Sequence, residues 1–455
     1  MGIFRKIAGS VGAAAMCLGL ASQAVSETLA DALAYGYEAS GLLEQNRALL
    51  RAADEGVANA VSALMPVVSW SLSAQTQFPQ APNSDFITGG LQLQAEMTLY
   101  DGGRNQLAVD GQKELVLATR QGLVNIEQQV LLRIVEAYME VRRASEFVAL
   151  RQNNVRLITQ ELRAAEDRFE VGEITRTDVA SAEARLAAAR SQLAAEEGTL
   201  ARAIAEFVTA VGRQPGQLQP ANQVPVNRSL GEIKDYALRN HPVILEARHS
   251  VASADISVER ARLAHVPTVS LDGTARIDFE GRESQSVGLS VGGPIYQGGR
   301  LASQLREAQA RRDAARADLY VTVQTIEQNV TNAYAFWEVA RATSDASERQ
   351  VRAATIAFRG VREEADLGAR TTLDVLNAEQ ELLDARANLI AAQVDEVVAS
   401  YTVLSSMGLL TARDLNLGVQ LYDAEAYYNL VKDAPTQLSE QGRALDRVLE
   451  AIGQE

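Results

Sequence analysis

The chain has 455 residues, enough for several compact domains, yet only 5% of them are aromatic, and Ala, Gln, Glu and Arg are plentiful. That balance suits long helices better than a large globular core. The formal charge of −15 argues against nucleic acid or an anionic membrane surface as a partner. The single cysteine, Cys17, offers no disulfide.

The chain opens with Arg5 and Lys6, then a mostly apolar run from Ile7 to Leu20. This pattern predicts a signal peptide over 1–24, with small residues allowing a cut after Ala24 or after Ser26. The run is short for a retained anchor. Cys17 follows Met16 where a lipidated cysteine would follow a small residue, so it is expected to leave with the signal. No later stretch approaches 18 consecutive apolar residues, and no transmembrane helix is expected.

After a helical stretch, 27–65, Val68, Trp70, Leu72 and Ala74 alternate with Ser69, Ser71, Ser73 and Gln75. The turn-rich "PQAPNSD" follows, and Leu91, Leu93, Ala95, Met97 and Leu99 then alternate with polar residues. A period of two marks strands with unlike faces, so 67–100 reads as a β-hairpin. It ends in the corner "YDGGRNQ", where Tyr100 precedes Gly102 and Gly103. The same corner, "YQGGRLA", recurs 196 residues later with Tyr296, Gly298 and Gly299. Paired glycines take turn conformations that other residues resist. A phosphate-binding loop is the weaker reading, since no Gly-Lys-Ser/Thr follows.

The same shift carries Ala137-Tyr138 onto Ala333-Tyr334, Gly172 onto Gly368, Asp178-Val179 onto Asp374-Val375 and Ala182-Glu183 onto Ala378-Glu379. A whole unit is duplicated. The first repeat spans 25–216 (helices 27–65, 101–168 and 174–213) and a linker spans 217–228. The second spans 229–415 (helices 229–265, 298–364 and 371–409, hairpin 268–296), and 416–455 forms a C-terminal extension. Helices of about 65 residues reach ~100 Å, a coiled-coil length. Leu305, Leu319, Val323, Ile326, Val330 and Trp337 mark a seam of threes and fours on the second.

The turns "RFEVGEITRTDV" and "EADLGARTTLDV" each put a helix-ending glycine, Gly172 or Gly368, before Thr175-x-x-Asp178 or Thr371-x-x-Asp374, a capping-box spacing. The plain reading of both aspartates is helix capping. Four amphipathic strands per chain leave open edges that a membrane does not tolerate. A dimer would supply eight strands and a filled barrel, a trimer twelve and a bore; the alternative is a soluble sandwich. His241, His249 and His265 lack the company of a metal site and are read as structural. No Gly-x-Ser-x-Gly elbow is present, so no enzyme and no cofactor are expected.

The signal, the two Y-x-GGR corners, the two G-x-x-x-x-x-DV tips and the duplicated layout resemble the TolC family of outer-membrane factors, up to about Leu417. The resemblance implies a homotrimer: a membrane β-barrel of twelve strands continuing into a long periplasmic α-helical barrel. It implies an exit duct for efflux or type I protein secretion, contacting outer-membrane lipid, a periplasmic adaptor protein and an inner-membrane ABC or RND transporter. "LYDAEAYYNLV" (Leu421 to Val431) and the overall spacing look closer to the secretion-associated branch. In the family the periplasmic end closes like an iris, lined by acids that match Asp374 and, three residues on, Asn377. A latch arginine there corresponds to Arg370, its acceptors to Thr177 and Asp178, and a supporting tyrosine is replaced by Ala365. By the same resemblance Val171, Gly172 and Glu173, with Leu367, Gly368 and Ala369, are expected to dock the adaptor. The competing classes are a periplasmic adaptor or a coiled-coil scaffold without a pore.

Overall fold

The computed structural model describes residues 26–76, 78, 87–437 and 439–452. The signal segment with Cys17, and most of the first hairpin's turn with Phe86, lie outside the described residues. In chain order the elements are β1 (Ser26–Glu27), α1 (Leu29–Ala39), α2 (Gly41–Ser62), β2 (Val67–Gln75), β3 (Thr88–Tyr100), α3 (Arg104–Glu170), α4 (Arg176–Val211) and β4 (Gln217–Leu218). Then follow α5 (Leu230–Asn240), α6 (Pro242–Arg262), β5 (Thr268–Asp278), β6 (Glu283–Gly292), α7 (Arg300–Asp366), α8 (Thr372–Ser406), α9 (Ala426–Val431) and α10 (Glu440–Ile452).

Both long helices have 67 residues, about 100 Å at 1.5 Å per residue. The stretches expected as single helices over 27–65 and 229–265 are each two. Ser40 leaves the helix and accepts from Leu43 N to start α2. His241 ends α5, and its Nδ1 accepts from Val243 N to start α6, with Pro242 in the first helical position. Burial pushes the His241 pKa down to about 4, so the imidazole caps as a neutral acceptor.

The two hairpins join in one antiparallel sheet of order β2-β3-β5-β6, leaving β2 and β6 as edges. Register rows alternate in character. Ser71, Gln92, Arg276 and Ser284 form one row; Trp70, Leu93, Ala275 and Gln285 form the next. Among the described residues nothing covers the apolar face: Val68, Trp70 and Val287 are 71%, 72% and 83% exposed. Beside Leu99 the β3–β5 register shifts, a bulge that redirects the strand into the corner.

Two equivalent cores sit midway along the long helices. The first packs Leu33 of α1 with Ile134, Tyr138 and Phe207; the second packs Ile233 of α5 with Val330, Tyr334 and Val403. Ile134, Tyr138 and Phe207 fall on Val330, Tyr334 and Val403 under the repeat shift. In the first core the Tyr138 hydroxyl lies 2.9 Å from Glu27 O and 2.7 Å from Gln219 O, tying β1 and the end of β4 to α3. The segment after Leu421 straps back over α2 and α3. Arg47 lies 5.3 Å from the Tyr422 ring, Arg120 lies 5.3 Å from the Tyr428 ring, and the Tyr427 hydroxyl donates to Glu55 at 2.7 Å.

Candidate functional site

The site builds from two helix-ending turns at the far end of the long helices. Phe169 O and Arg168 O accept from Gly172 N and Glu173 N, and Gly172 has φ +82°. At the second turn Ala365 O and Glu364 O accept from Gly368 N and Ala369 N, with Gly368 at φ +77°. A left-handed residue closes each helix in the way glycine permits. Thr175 and Thr371 then cap α4 and α8: Thr175 N donates to Asp178 at 2.9 Å and Thr371 N to Asp374 at 3.0 Å. These backbone donors, with the threonine hydroxyls, hold both carboxyls below the ordinary aspartate range, so both tips stay anionic. Val171 and Leu367 stand out from the tips at 71% and 86% exposure, with Glu173 and Ala369 exposed beside them.

The expected pairing of Arg370 with Asp178 and Thr177 is not formed within the chain. Arg370 Nε donates to Glu364 at 2.8 Å, on the helix it follows, while Asp178 is occupied by its own cap and Thr177 is exposed. The hairpins are instead tied by Arg185 of α4, whose guanidinium donates to Asn377 Oδ1 at 2.8 Å and to Leu376 O at 3.2 Å on α8. Arg362 of α7 approaches Glu161 of α3 at 3.8 Å. Neither tie was anticipated. Arg185 falls on Glu381 under the repeat shift, and that break of symmetry was the available signal.

The strand-to-helix corners share a shape and differ in chemistry. Gly102 and Gly103 have φ +72° and +86°, Gly298 and Gly299 +59° and +82°. At the first corner Asp101 accepts from Gly103 N at 2.8 Å and Asn105 N at 2.7 Å; at the second Gln297 accepts from its neighbour Arg300. Tyr100 and Tyr296 are both exposed beside them. The other two histidines sit elsewhere: His249 pairs with Glu114 at 2.8 Å and His265 lies in a short 3₁₀ turn. No group of three metal-capable side chains exists among the described residues.

A sheet with one bare apolar face, carried on helices about 100 Å long that end in capped tips, is a layout other proteins share. Residues 38–213 and 234–409 each match the family described as "Outer membrane efflux protein". The chain belongs to that family. It is 36% identical over 419 residues to the outer membrane efflux protein BepC of Brucella suis biovar 1, covering 90% of this chain and 91% of BepC. It is 25% identical over 426 residues to the outer membrane protein TolC of Vibrio cholerae, covering 88% and 94%. Its fold matches the Campylobacter jejuni CmeC outer membrane channel with a TM-score of 0.76 at 16% identity, covering 90% of each chain. As a member of the outer membrane efflux protein family, the chain is an outer-membrane transport channel that extends into the periplasm. The two family matches fall on the two halves of the duplication, so each repeat is one copy of the family unit.

Proposed function

We propose that three copies of this chain close one pore: a twelve-stranded barrel in the outer membrane, continued by a barrel of twelve helices through the periplasm. The observation that carries this is the four-stranded sheet with an uncovered apolar face and two unpaired edges, β2 and β6. Edges of this kind are satisfied in lipid only by closure onto neighbouring copies. Twelve strands leave a bore where eight would be filled by side chains.

The pore acts as the exit duct of a tripartite machine, with a periplasmic adaptor seated on Val171, Gly172 and Glu173 and on Leu367, Gly368 and Ala369. An inner-membrane ABC or RND transporter supplies the cargo. Efflux is favoured over type I secretion, because the 36% identity to an efflux protein spans 90% of the chain. The secretion proteins PrtF and AprF reach 27% over 63% and 64%. The Leu421–Val431 segment, which leaned toward secretion, has a structural duty as a strap over α2 and α3. The periplasmic end is a gate, in which Asp374 contributes one carboxylate per copy and Asn377 is engaged by Arg185. In the assembly Arg370 exchanges its contact with Glu364 for the Thr177 and Asp178 of a neighbouring copy.

Imaging the purified protein in nanodiscs tests the assembly. A three-fold particle with a long tunnel is expected, and a water-soluble monomer absent from outer membranes overturns it. Arg370→Ala is expected to raise single-channel conductance in planar bilayers; an unchanged value removes the latch.

A further inference from the structure

Glu379 lies on α8 two residues beyond Asn377 and is 6% exposed. Its Oε1 has no hydrogen-bond partner. It lines two cavities. One of about 70 Å³ also touches Asn154, Arg185 and Gln192, so it lies between α3, α4 and α8. The other, about 300 Å³, lies between α3, α7 and α8 and is lined also by Phe358, Arg359, Arg362 and Arg386. Glu379 thus sits where the two helical hairpins meet, walled by space large enough for water on both sides.

The charges facing it come from every packed element: Glu161 from α3, Arg185 from α4, Arg362 and Arg359 from α7, and Arg386 from α8 itself. Arg185 is committed to Leu376 and Asn377, and Arg362 to Glu161, so neither hydrogen-bonds Glu379. Its twin in the first repeat, Glu183, is exposed on α4. The repeat unit alone therefore does not bury this glutamate; the meeting of the hairpins does.

We propose that Glu379 is a proton-controlled spacer between the hairpins: neutral, it fits the closed junction; ionised, it draws water through the two cavities and favours separation of α8 from α3 and α4. Burial first, and Glu161 second, raise its pKa from 4.5 to about 7, against the opposing pull of Arg362 and Arg185. A separated, hydrated junction returns it toward 4.5. Across the interval from about 4.5 to about 7 the closed form therefore holds more protons than the open form. Acid favours closure, and rising pH favours opening until both forms are ionised. The aspartates at the tips titrate below this interval and do not mimic the effect.

The proposal deepens the gate reading, and its first test is independent of conduction. Ala184→Cys on α4 and Glu381→Cys on α8 place spin labels at exposed positions on the two hairpins. Cys17, the only native cysteine, is expected to leave with the signal. In the nanodisc-held full chain, the ratio of long to short distances is expected to rise at least about tenfold from pH 5 to pH 8. Glu379→Gln, with Glu379→Met as a second neutral variant, is expected to keep the short distance at both pH values. Glu183→Gln is expected to respond as wild type. A wild-type distribution that ignores pH, or a neutral variant that still responds, overturns the spacer. Planar-bilayer conductance of the same proteins is the separate readout of the channel: its total absence overturns the pore while leaving the distance test decisive.

Discussion

Asp178 and Asp374 occupy one position in the first turns of α4 and α8, and both are held by their own helix caps. That much was legible, because a Thr-x-x-Asp spacing after glycine is a local signal. The partner of Arg370 was not, because nothing local separates Glu364, six residues back, from an acid on another helix. Residues that look alike by repeat can differ through distant neighbours. Adding a Cβ at Gly102 would put it 2.8 Å from Val266 Cγ1, whereas at Gly298 nothing lies within 4 Å. Gly298→Ala is therefore expected to cost about 1–2 kcal/mol through backbone strain alone. Gly102→Ala is expected to cost about 1–3 kcal/mol more through overpacking, and thermal unfolding of the two variants reads the difference. Asp54 on α2 is fully buried with both carboxyl oxygens unpartnered, and burial pushes its pKa up to about 6. A raised carboxyl pKa leaves the fold most stable in acid and costs stability as pH rises through the shifted value. Asp54→Asn is expected to stabilise the chain by about 1–3 kcal/mol at pH 7.5 and to change little near pH 4, as melting at both pH values checks.

At the scale of elements, strand alternation and helix-length patterning located the hairpins and the long helices, because periods of two and 3.6 reflect one-sided packing. The break at Ser40 escaped that reading, since a helix that stops and restarts keeps an apolar face on both sides of the break; the one at His241-Pro242 carries a local sign, a proline suited to a helix's first position. The same limit hid β1 and β4, two residues each, which no periodicity can reveal. What anchors this small parallel pair is Tyr138, whose hydroxyl serves two carbonyls, and Glu27, buried and paired with Arg213 at 2.8 Å. Tyr138→Phe is expected to cost about 1–2 kcal/mol and to release the chain start, read as earlier protease cleavage ahead of α1. Arg185→Ala removes the tie from α4 to α8 and is expected to raise conductance while leaving the melting temperature within about 1–2 °C, since exposed polar links contribute little to stability.

For the whole molecule, the duplication was readable because both halves kept the same spacing from corner to tip. The ties between halves were not readable, because they arise where the copies diverge, as Arg185 does from Glu381. The sheet order β2-β3-β5-β6 gives each chain two unlike borders. In the proposed trimer the ring closes head to tail, β6 of each copy meeting β2 of the next. On β6 the N–H groups of Gln285 and Leu289 face away from β5, because the hydrogen-bonded pairs with β5 fall on the alternate residues from Asp278–Arg282 onward. A chain with Gln285→Pro or Leu289→Pro is expected to join one neighbour and refuse the other. Co-expressed with the intact chain, it would spoil rings out of proportion to its abundance. Because a single faulty subunit disables three, damage to one border strand would be inherited as a dominant trait, whereas simple loss of the chain would be recessive.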